Sequence, residues 1–452
     1  MIFRKVIKRL ERFFQDGGKY ALLIDGARQV GKTFIIEEFG RSHYESVVKI
    51  DFVKMKGAVK LFENVEDERE IISRISAFTS KPLIEGKTLI FLDEIQKCPE
   101  AVTYIKYLVR DDGRYHYILS GSLLGVELKN VRSVPVGILD EEKMYPLDFE
   151  EFVLANGESP ELIARARSAW ENHSPLPIVL HERLKKLFRF YLVVGGMPAV
   201  VQRYIDTRDI RRVIAEQKKI LVEYRKDISQ YDEQNAMRIR EVFKRIAPEL
   251  NKKNKRFYAD SVAEVPRFDR LEEEFVWLRE AGVAIPAYSV AEPKVPLVLS
   301  EKNNFFKLFA NDVGLLSAMF MDGIQVRVLN GETDINFGAL YENAVAQELT
   351  AHGFEVKYYN SSAFGEVDFM VEKEGAVLPV EVKSGKHYKR HRALNRLLEC
   401  QEYAIPSAIV FDDDSMNESA RVFYAPVYMM MFLKKDVLPE EMIYEIGRPL
   451  QL

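Results

Sequence analysis

The feature that most constrains this chain is a short loop between an apolar strand pattern and a helical pattern. The strand pattern is "YALLI", the helical pattern is "FIIEEF", and the loop between them fits GxxxxGK(S/T). Glycines at these positions let backbone N–H groups converge on phosphate oxygens, and a helix N-terminus adds positive dipole. The predicted nucleotide-binding residues are Gly26, Ala27, Arg28, Gln29, Val30, Gly31, Lys32 and Thr33.

Two side chains of this loop have predicted chemical roles. Lys32 is expected to reach the β- and γ-phosphates of ATP, and the Thr33 hydroxyl is expected to bind Mg²⁺. Chance gives roughly 0.02 matches to the pattern in a chain of this length. The loop therefore predicts an ATP site more strongly than an ordinary strand–helix turn.

The second half of such a site is an apolar strand that ends in acidic residues. "KTLIFLDEIQ" has this form, so we expect Asp93 to hold Mg²⁺ and Glu94 to orient and deprotonate the attacking water. A further apolar run, "YHYILSGS", ends in Ser120 and Ser122, either of which could sense the γ-phosphate. A simple strand capped by a turn explains either serine alone equally well.

These segments predict an α/β fold with a parallel sheet flanked by helices. "VVKIDF" (Val47 to Phe52) and "EKMYPLDF" (Glu142 to Phe149) are two more candidate strands. Apolar strands that alternate with helices form parallel sheets covered on both faces. The nucleotide is expected at the edge where the carboxyl ends of the strands meet.

Composition sets limits on the partners. The chain has 452 residues, of which 47% are apolar, and a net charge of −4, so any binding to DNA has to come from a local basic patch. The two cysteines, Cys98 and Cys400, are far apart, which fits a cytoplasmic location without disulfides or a zinc site. No apolar run is long enough for a membrane span. The N-terminal segment predicts an amphipathic helix whose cations are mostly solvated, namely Arg4, Lys5, Lys8, Arg9 and Arg12.

The middle of the chain is predicted to be helical. Amphipathic patterns run from about 178 to 247, and residues 254–290 resemble a winged-helix unit with a turn at Pro266 and a glycine at 282. A winged helix can place a helix in the DNA major groove. Here "RLEEEFVWLRE" is acidic where a DNA-reading helix is basic, so a protein–protein or inter-domain module is the preferred interpretation.

The last third contains a carboxylate–lysine pattern of the PD-(D/E)xK nucleases. Asp368 lies on one predicted strand of a hairpin, and Glu381 and Lys383 lie on the other. Two such carboxylates bind one or two Mg²⁺ or Mn²⁺ ions, and the lysine orients or activates water. Glu342, on a predicted helix upstream, is the further acid that this fold usually provides. By itself the pattern occurs by chance roughly once per chain of this length.

A basic stretch follows this pattern. It contains Lys386, Lys389, Arg390, Arg392 and Arg396. The stretch could neutralise phosphates, or it could be a solvated helix face. His387 and His391 are assigned to that polar face and not to a metal site.

Taken together, "DGARQVGKT", "LIFLDEIQ", "YILSGS" and "MYPLDFEEF" resemble the prokaryotic AAA-type P-loop ATPases that carry a C-terminal domain of unknown function. "YLVVGGMPAVV", "FGALYENAVAQEL", "GEVDFMV" and "PVEVKSG" resemble the later parts of that family. The resemblance implies an ATPase domain at 1–153, a helical lid or connector at 154–248, a winged-helix-like unit at 249–325, and a nuclease-like α/β domain of the restriction-endonuclease type at 326–452. It also implies that Lys32, Thr33, Asp93 and Glu94 carry ATP and Mg²⁺.

One position departs from that family. Relatives commonly have Gly-Arg shortly before "YPL", whereas this chain has Gly137 and Ile138. A charge-stabilising arginine contributes on the order of 10³-fold or more to phosphoryl transfer. Slow basal turnover is therefore expected, unless Arg110, Arg114, Arg132 or an arginine from another subunit takes that role.

The sequence supports three functional hypotheses. The first is a Mg²⁺-dependent ATPase whose nucleotide state controls the nuclease-like domain, acting on or near DNA. The second is an ATP-regulated scaffold with a non-cleaving nuclease fold that binds DNA, a protein partner or a second copy of itself. The third is a transposon- or plasmid-type DNA-handling ATPase, which would be stimulated by DNA with a steep salt dependence.

Overall fold

The computed structural model describes residues 2–122, 137–229, 233–252, 254–257, 272–320, 322–332, 338–384 and 391–437. Several predicted features lie outside these residues: Arg132, part of the winged-helix segment (258–271), and Lys386, His387, Lys389 and Arg390 of the basic stretch.

The N-terminal part contains a five-stranded parallel sheet in the order β2-β3-β4-β1-β5. Its strands are β1 (Ala21–Asp25), β2 (Ser46–Asp51), β3 (Thr88–Asp93), β4 (His116–Gly121) and β5 (Leu139–Lys143). Every residue of β1, β3 and β4 is buried, as expected for central strands of a sheet that is covered on both faces.

Helices cover both faces of this sheet. They are α1 (Ile7–Gln15), α2 (Lys32–His43), α3 (Glu68–Thr79) and α4 (Pro99–Tyr107), with short 3₁₀ turns at Lys56–Phe62 and Ile95–Lys97 and a π turn at Leu108–Asp112. Alternate residues of each strand point to opposite faces. Leu92 and Leu119 therefore pack among residues of α3 and α4, whereas Phe91 and Ile118 pack among residues of α1 and α2.

Two predictions for this part were wrong. The candidate strand Glu142 to Phe149 is instead the end of β5, a loop, and the start of a helix. Asp148 accepts a hydrogen bond from the N–H of Glu151, and the Glu151 side chain accepts one from the N–H of Asp148. This capping box starts a helix where the sequence suggested a strand.

The second error concerns the cations of α1 and the residues before it. Lys8 and Arg12 are exposed as expected, but Arg4 is buried and bonds to Glu151 and to the carbonyl oxygens of Val30 and Tyr145. Two others form ion pairs: Lys5 with Asp148 and Glu150, and Arg9 with Asp140. Long basic side chains can bury their stems while their charges find partners, which amphipathic periodicity does not reveal.

Six helices follow the N-terminal sheet. They are α5 (Phe149–Ala155), α6 (Pro160–Glu171), α7 (Ile178–Val194), α8 (Pro198–Thr207), α9 (Ile210–Ser229) and α10 (Glu233–Leu250). Gly195 and Gly196 separate α7 from α8, and a Cβ at Gly196 would lie 2.1 Å from the carbonyl oxygen of Leu147. The chain can approach the start of α5 this closely only because the residue is glycine.

The C-terminal part contains an eight-stranded mixed sheet in the order β12-β13-β11-β10-β9-β8-β6-β7. The strands are β6 (Ala284–Val290), β7 (Glu301–Ala310), β8 (Lys357–Ser361), β9 (Gly365–Lys373), β10 (Ala376–Val382), β11 (Ala408–Asp412), β12 (Asn417–Ser419) and β13 (Val422–Pro426). The accompanying helices are α11 (Glu272–Glu280), α12 (Val313–Met319), α13 (Ile324–Asn330), α14 (Gly338–Ala351) and α15 (Arg392–Glu399), with 3₁₀ turns at Leu297–Ser300 and Val427–Phe432.

The predicted hairpin in this part is confirmed. Strands β9 and β10 pair antiparallel, with Lys373 opposite Ala376. Glu374 and Gly375 form the turn, and both have positive φ. Two-residue turns of this kind match the right-handed twist of the strands that they join.

One hydrophobic core extends from Leu147 to Leu433 and combines the helices of the middle with the C-terminal sheet. Strand β6 pairs in parallel with β8, so a strand from the segment predicted as winged-helix-like continues the C-terminal sheet. The predicted boundaries at 248/249 and 325/326 thus fall within one shared core, and the four-domain division stays a prediction.

Two simpler observations complete the fold. Among the described residues, none of the helices combines the length and the apolar character that crossing a bilayer requires. Cys98 is buried, Cys400 is half-buried, and both are free thiols.

Candidate functional site

The predicted phosphate-binding loop lies between β1 and α2 and is shaped by its glycines. Gly26 has a φ of +147°, and a Cβ there would lie 2.1 Å from the carbonyl oxygen of Met144. Gly31 has a φ of +95° and directly precedes α2. Gln29, with a φ of 67°, is a non-glycine residue in the left-handed region. Left-handed residues within such a loop turn successive backbone N–H groups toward one side, which is how loops of this type bind anions.

Lys32 folds back into the loop that precedes it. Its Nζ donates hydrogen bonds to the carbonyl oxygens of Gly26 (2.6 Å) and Ala27 (2.8 Å). Burial lowers the pKa of Lys32 to about 8, although the nearby Asp25 and Glu94 carboxylates act to raise it. A bound phosphate would add negative charge beside this desolvated amine, so the loop fits an anionic ligand.

Asp93 is the centre of a polar cluster at the carboxyl edge of the sheet. Its carboxylate oxygens lie 3.1 and 3.2 Å from the Thr33 hydroxyl. Ser120, directly opposite on β4, donates a hydrogen bond to the same carboxylate, and Lys49 Nζ lies 3.0 Å from it. A hydroxyl and a carboxylate side by side are the oxygen ligands that Mg²⁺ prefers. Thr33 and Asp93 therefore fit this ion when the partly exposed Lys49 turns to Glu37, its other carboxylate partner at 2.8 Å.

The two remaining predicted residues differ in their surroundings. Glu94 has a φ of 58°, and its carboxylate accepts a hydrogen bond of 2.6 Å from Gln96. Strained backbone of this kind persists where the surrounding structure holds it, often at functional sites. Ser122 is buried, and among the described residues its hydroxyl has no hydrogen-bond partner. Ser120 is already bonded to Asp93, which leaves Ser122 as the better candidate for sensing a ligand.

Two adjoining cavities open beside the loop. One has a volume of about 450 Å³ and is lined by Arg28, Gln29, Gly31, Lys32, Thr33, Phe34, Glu94, Pro198 and Ala199. The other has a volume of about 210 Å³, is largely apolar, and is lined by Ile2, Arg4, Gly31, Phe34, Ile35, Met144, Pro198 and Gln202. They share Gly31, Phe34 and Pro198. The first cavity has the charged and polar side chains of the loop along part of its wall, so it fits phosphates, and the second fits a base.

Neither described candidate for the missing arginine lies near the loop. Arg114 forms an ion pair with Asp112, and Arg110 is exposed in the π turn. Both precede β4 and so lie at the amino ends of the parallel strands, whereas Gly26 and Asp93 lie at the carboxyl ends. The two residues are thus too far along the strand direction to serve a nucleotide bound at the loop.

The loop also contacts the helical middle of the chain. Arg28 forms an ion pair with Asp227 on α9, and the carbonyl oxygen of Arg28 accepts a hydrogen bond from Tyr224 (3.3 Å). Gln29 bonds to Glu223, one turn earlier on the same helix. Two side chains of the nucleotide loop are therefore attached to α9.

The predicted C-terminal residues meet at one place. Asp368, on β9, accepts a hydrogen bond from the N–H of Val382 (2.9 Å) on the neighbouring strand β10. At the end of β10, Lys383 bonds to Glu381. Glu342, on α14, joins this cluster through Lys255 and Lys307. The structure thus brings together all four residues that the sequence pattern singled out.

Lysines that the sequence analysis did not identify also lie in this cluster. The fully buried Lys307 of β7 places its Nζ 2.7 Å from Glu366, 3.8 Å from Glu342 and 3.9 Å from Asp368. Lys255 also pairs with Glu342. Burial and then the Asp368 charge raise the pKa of Glu381 to about 8. An ammonium group thus lies among the carboxylates that were predicted to bind a metal, and a second metal ion fits them poorly.

The side chains that sequence reasoning missed are those placed by strand order. Lys49 and Ser120 reach Asp93 because β2 and β4 flank β3. Lys307 reaches Glu366 because β7 lies in the C-terminal sheet. An isolated lysine in the apolar run "FFKLFA" was the only available signal for Lys307, since lysine is almost never fully buried unless paired.

Three families match consecutive parts of the chain. An AAA domain family matches residues 18–153. Two domains of unknown function follow, DUF8612 at residues 185–325 and DUF4143 at residues 337–428. The first match and the parallel sheet with its phosphate-type loop define an AAA-type P-loop ATPase domain. No curated protein matches the whole sequence closely enough to count as a relative.

Solved structures resemble the chain only distantly. A Walker-type ATPase of Pyrococcus abyssi is 14% identical, with 71% of this chain and 96% of that chain covered and a TM-score of 0.45. The Orc1 protein of Aeropyrum pernix, solved in complex with DNA, is 12% identical, with 72% and 95% covered and a TM-score of 0.30. RuvB of Thermotoga maritima is 15% identical, with 67% and 90% covered and a TM-score of 0.31. At these scores none of the three identifies a function for this chain.

Proposed function

We propose that the protein is a Mg²⁺-dependent ATPase whose nucleotide state controls its C-terminal part. The observation that carries this proposal is the meeting of Lys32, Thr33 and Asp93 beside a cavity of about 450 Å³. ATP and Mg²⁺, when bound, supply the phosphoryl group and the charge that neutralises its oxygens. Lys32 binds the phosphates, and Thr33 and Asp93 hold the ion.

Glu94 is assigned the role of positioning and deprotonating the attacking water. Its carboxylate lines the cavity of about 450 Å³ and is oriented by Gln96. Ser122, whose hydroxyl has no hydrogen-bond partner in the part of the chain that the structure describes, is assigned the role of sensing the γ-phosphate. Because neither Arg110 nor Arg114 lies near the loop, we expect slow turnover by the isolated protein unless Arg132, which lies outside the described residues, or a partner supplies an arginine.

The Glu94→Gln variant tests the catalytic assignment. Loss of a general base typically lowers the rate by about 10²- to 10⁴-fold, whereas nucleotide affinity should change little because the phosphate-binding groups remain. Steady-state phosphate release and binding of a fluorescent ATP analogue measure the two quantities. Glu100→Gln, an exposed acid at the start of α4, is the matched control. Equal rates for wild type and Glu94→Gln would refute the assignment.

The C-terminal cluster supports a nuclease-like fold, and one observation favours the non-cleaving alternative. Glu342 on α14, Asp368 on β9, and Glu381 and Lys383 at the end of β10 lie in one cluster. Lys307, however, lies among the carboxylates. Its ammonium supplies charge that a catalytic cation would otherwise supply. We therefore favour an ATP-regulated interaction protein over an active nuclease.

A cleavage assay separates these two functions. Plasmid, linear and single-stranded DNA and RNA are incubated with Mg²⁺ or Mn²⁺, with and without ATP, beside Asp368→Ala and Lys32→Ala. We expect no cleavage in any lane. Cleavage that disappears in Asp368→Ala would instead establish an active nuclease, and the Lys32→Ala lane would then show whether nucleotide gates it.

DNA remains a candidate partner of the non-cleaving form. Arg392 and Arg396 are exposed on α15, which packs against β9 of the cluster. If they contact phosphates, removing both should weaken DNA binding uniformly across sequences and reduce its salt dependence.

A further inference from the structure

A second cluster of metal-ligand type lies where the N-terminal domain meets helix α14. It consists of Asp148, at the N-cap of α5, and Glu348 and His352, one helical turn apart at the end of α14. One ligand atom from each residue lies within 4.8 Å of the other two. None of these residues belongs to the nucleotide site or to the cluster around Asp368.

The histidine presents an acceptor nitrogen to two acceptor oxygens. His352 Nδ1 lies 2.8 Å from the carbonyl oxygen of Leu433, so Nδ1 carries the proton and donates it there. In the neutral ring Nε2 then bears a lone pair, and it lies 3.5 Å from Glu348 Oε2 and 3.6 Å from Asp148 Oδ2. A backbone carbonyl that fixes the distal N–H is the usual arrangement around a metal-bound histidine.

Two of these atoms are buried and lack a hydrogen-bond partner among the described residues. They are Glu348 Oε2 and His352 Nε2. The other three carboxylate oxygens have partners: Glu348 Oε1 accepts from the N–H of Phe149, Asp148 Oδ1 from the N–H of Glu151, and Asp148 Oδ2 from Lys5. The Glu348 side chain is fully buried and the His352 side chain nearly so. Buried polar atoms are rarely left without a partner, and here they face each other.

The spacing of these atoms agrees with tetrahedral coordination. Zinc binds nitrogen and oxygen at about 2.0 to 2.2 Å, which places neighbouring ligands of a tetrahedron about 3.4 Å apart. The separations of 3.5 and 3.6 Å are close to that value. Lys5 Nζ donates to Asp148 Oδ2, the oxygen that faces His352, and it also bonds to Glu150 at 2.6 Å. A metal ion here therefore requires Lys5 to turn to Glu150 alone. Its side chain is 29% exposed and can do so, whereas Lys307 in the C-terminal cluster is fully buried.

We propose that Asp148, Glu348 and His352 bind a divalent first-row metal ion of the zinc class, which clamps the N-terminal domain to helix α14. One imidazole and two carboxylates suit Zn²⁺ and Co²⁺. The same helix carries Glu342, which is part of the C-terminal cluster. The bound ion therefore fixes the helix that joins the nucleotide-binding domain to that cluster.

Cobalt titration of the metal-free full-length protein tests the site. Co²⁺ in a tetrahedral site absorbs in the visible range, whereas Co²⁺ bound at octahedral Mg²⁺-type sites absorbs far more weakly. We expect the wild type to bind one equivalent of Co²⁺ with intense visible absorption, and one equivalent of Zn²⁺ to remove that absorption. The intense absorption should be lost in His352→Gln and Glu348→Gln and kept in Asp93→Asn and Asp368→Asn. His391→Gln, another buried histidine, which bonds to Tyr424, is the matched control.

The His352→Cys variant provides a test that does not depend on loss of signal. A thiolate at this position should add a sulfur-to-cobalt charge-transfer band that the wild type lacks, which shows ligation directly. The proposal would be overturned if the wild type lacked the intense Co²⁺ absorption, or if both glutamine variants kept it. In either case the approach of His352 Nε2 to the two carboxylates would be a polar contact without a metal.

Discussion

Lys32 is a buried amine whose charge state lies close to its switching point near neutral pH. Its pKa in the folded protein is about 8, below the ordinary lysine value of about 10.4. The amine therefore begins to lose its proton near pH 8, whereas phosphate binding requires the charged form. The pH of the solution should consequently control nucleotide affinity through this one residue.

We expect ATP affinity to be nearly constant from pH 6.5 to 7.5 and to weaken by up to about tenfold per pH unit above pH 8. Titration with a fluorescent ATP analogue at constant ionic strength measures this profile. Ser122→Ala retains Lys32 and should show the same slope even if its affinity is lower. A flat profile from pH 7 to 9.5 would contradict the prediction.

At the scale of single residues, local motifs could be predicted and cross-strand partners could not. Gly26 to Thr33, Asp93 and Glu94 follow from a loop pattern and a strand end, both contained in short windows of sequence. Lys49 reaches Asp93 from the neighbouring strand. Lys307 on β7 reaches Glu366 on β9, with two strands between them in the C-terminal sheet. Their roles depend on strand order, which composition and periodicity do not encode.

At the scale of elements, helix α9 is attached to the nucleotide loop. The ion pair between Arg28 and Asp227 and the hydrogen bond from Tyr224 connect the loop to this helix. A change in the loop on nucleotide binding should therefore reach α9 directly.

The Asp227→Asn variant removes one charge of this connection without changing side-chain shape. We expect ATP affinity to change by less than about threefold, because Asp227 lies outside the predicted nucleotide-binding loop, and stability to fall by on the order of 1 kcal/mol. Hydrogen exchange should show smaller nucleotide-dependent protection of Ile210–Ser229 than in the wild type. Asp206→Asn, an exposed aspartate on α8, is the control. Unchanged protection in Asp227→Asn would show that α9 is coupled to the loop by other contacts.

Elements defined by local signals were the easiest to predict. The β9–β10 hairpin follows from two apolar runs around a turn, and it is present. The strand expected at Glu142 to Phe149 was wrong because a capping box that begins at Asp148 outweighs the apolar pattern. The pairing of β6 with β8 joins residues far apart in sequence, so no local pattern could predict it.

At the scale of the whole molecule, the helical middle and the C-terminal sheet share one core. Leu316 on α12 is fully buried in it, together with residues from both parts. Both tryptophans report on this core, since Trp277 is buried in it and Trp170 packs on Phe411 and Phe423. The two parts should therefore unfold together.

Leu316→Ala tests this cooperativity. The cavity should cost about 2 to 5 kcal/mol, and hydrogen exchange protection should fall together in α7 (Ile178–Val194) and in β9 to β11. Denaturant unfolding followed by tryptophan fluorescence measures the free energy. Leu299→Ala, at an exposed position, should have little effect. A loss of protection confined to the helices would mean that the core is divided.

The parallel pairing of β6 with β8 has an evolutionary consequence. A recombination event between Ala310 and Gly338 would separate β6 and β7 from the strands that they complete, and it would deprive Glu366 of Lys307. Strand β8 would then carry an unpaired edge, which promotes aggregation. The segment from β6 to β13 therefore has to be inherited as one unit.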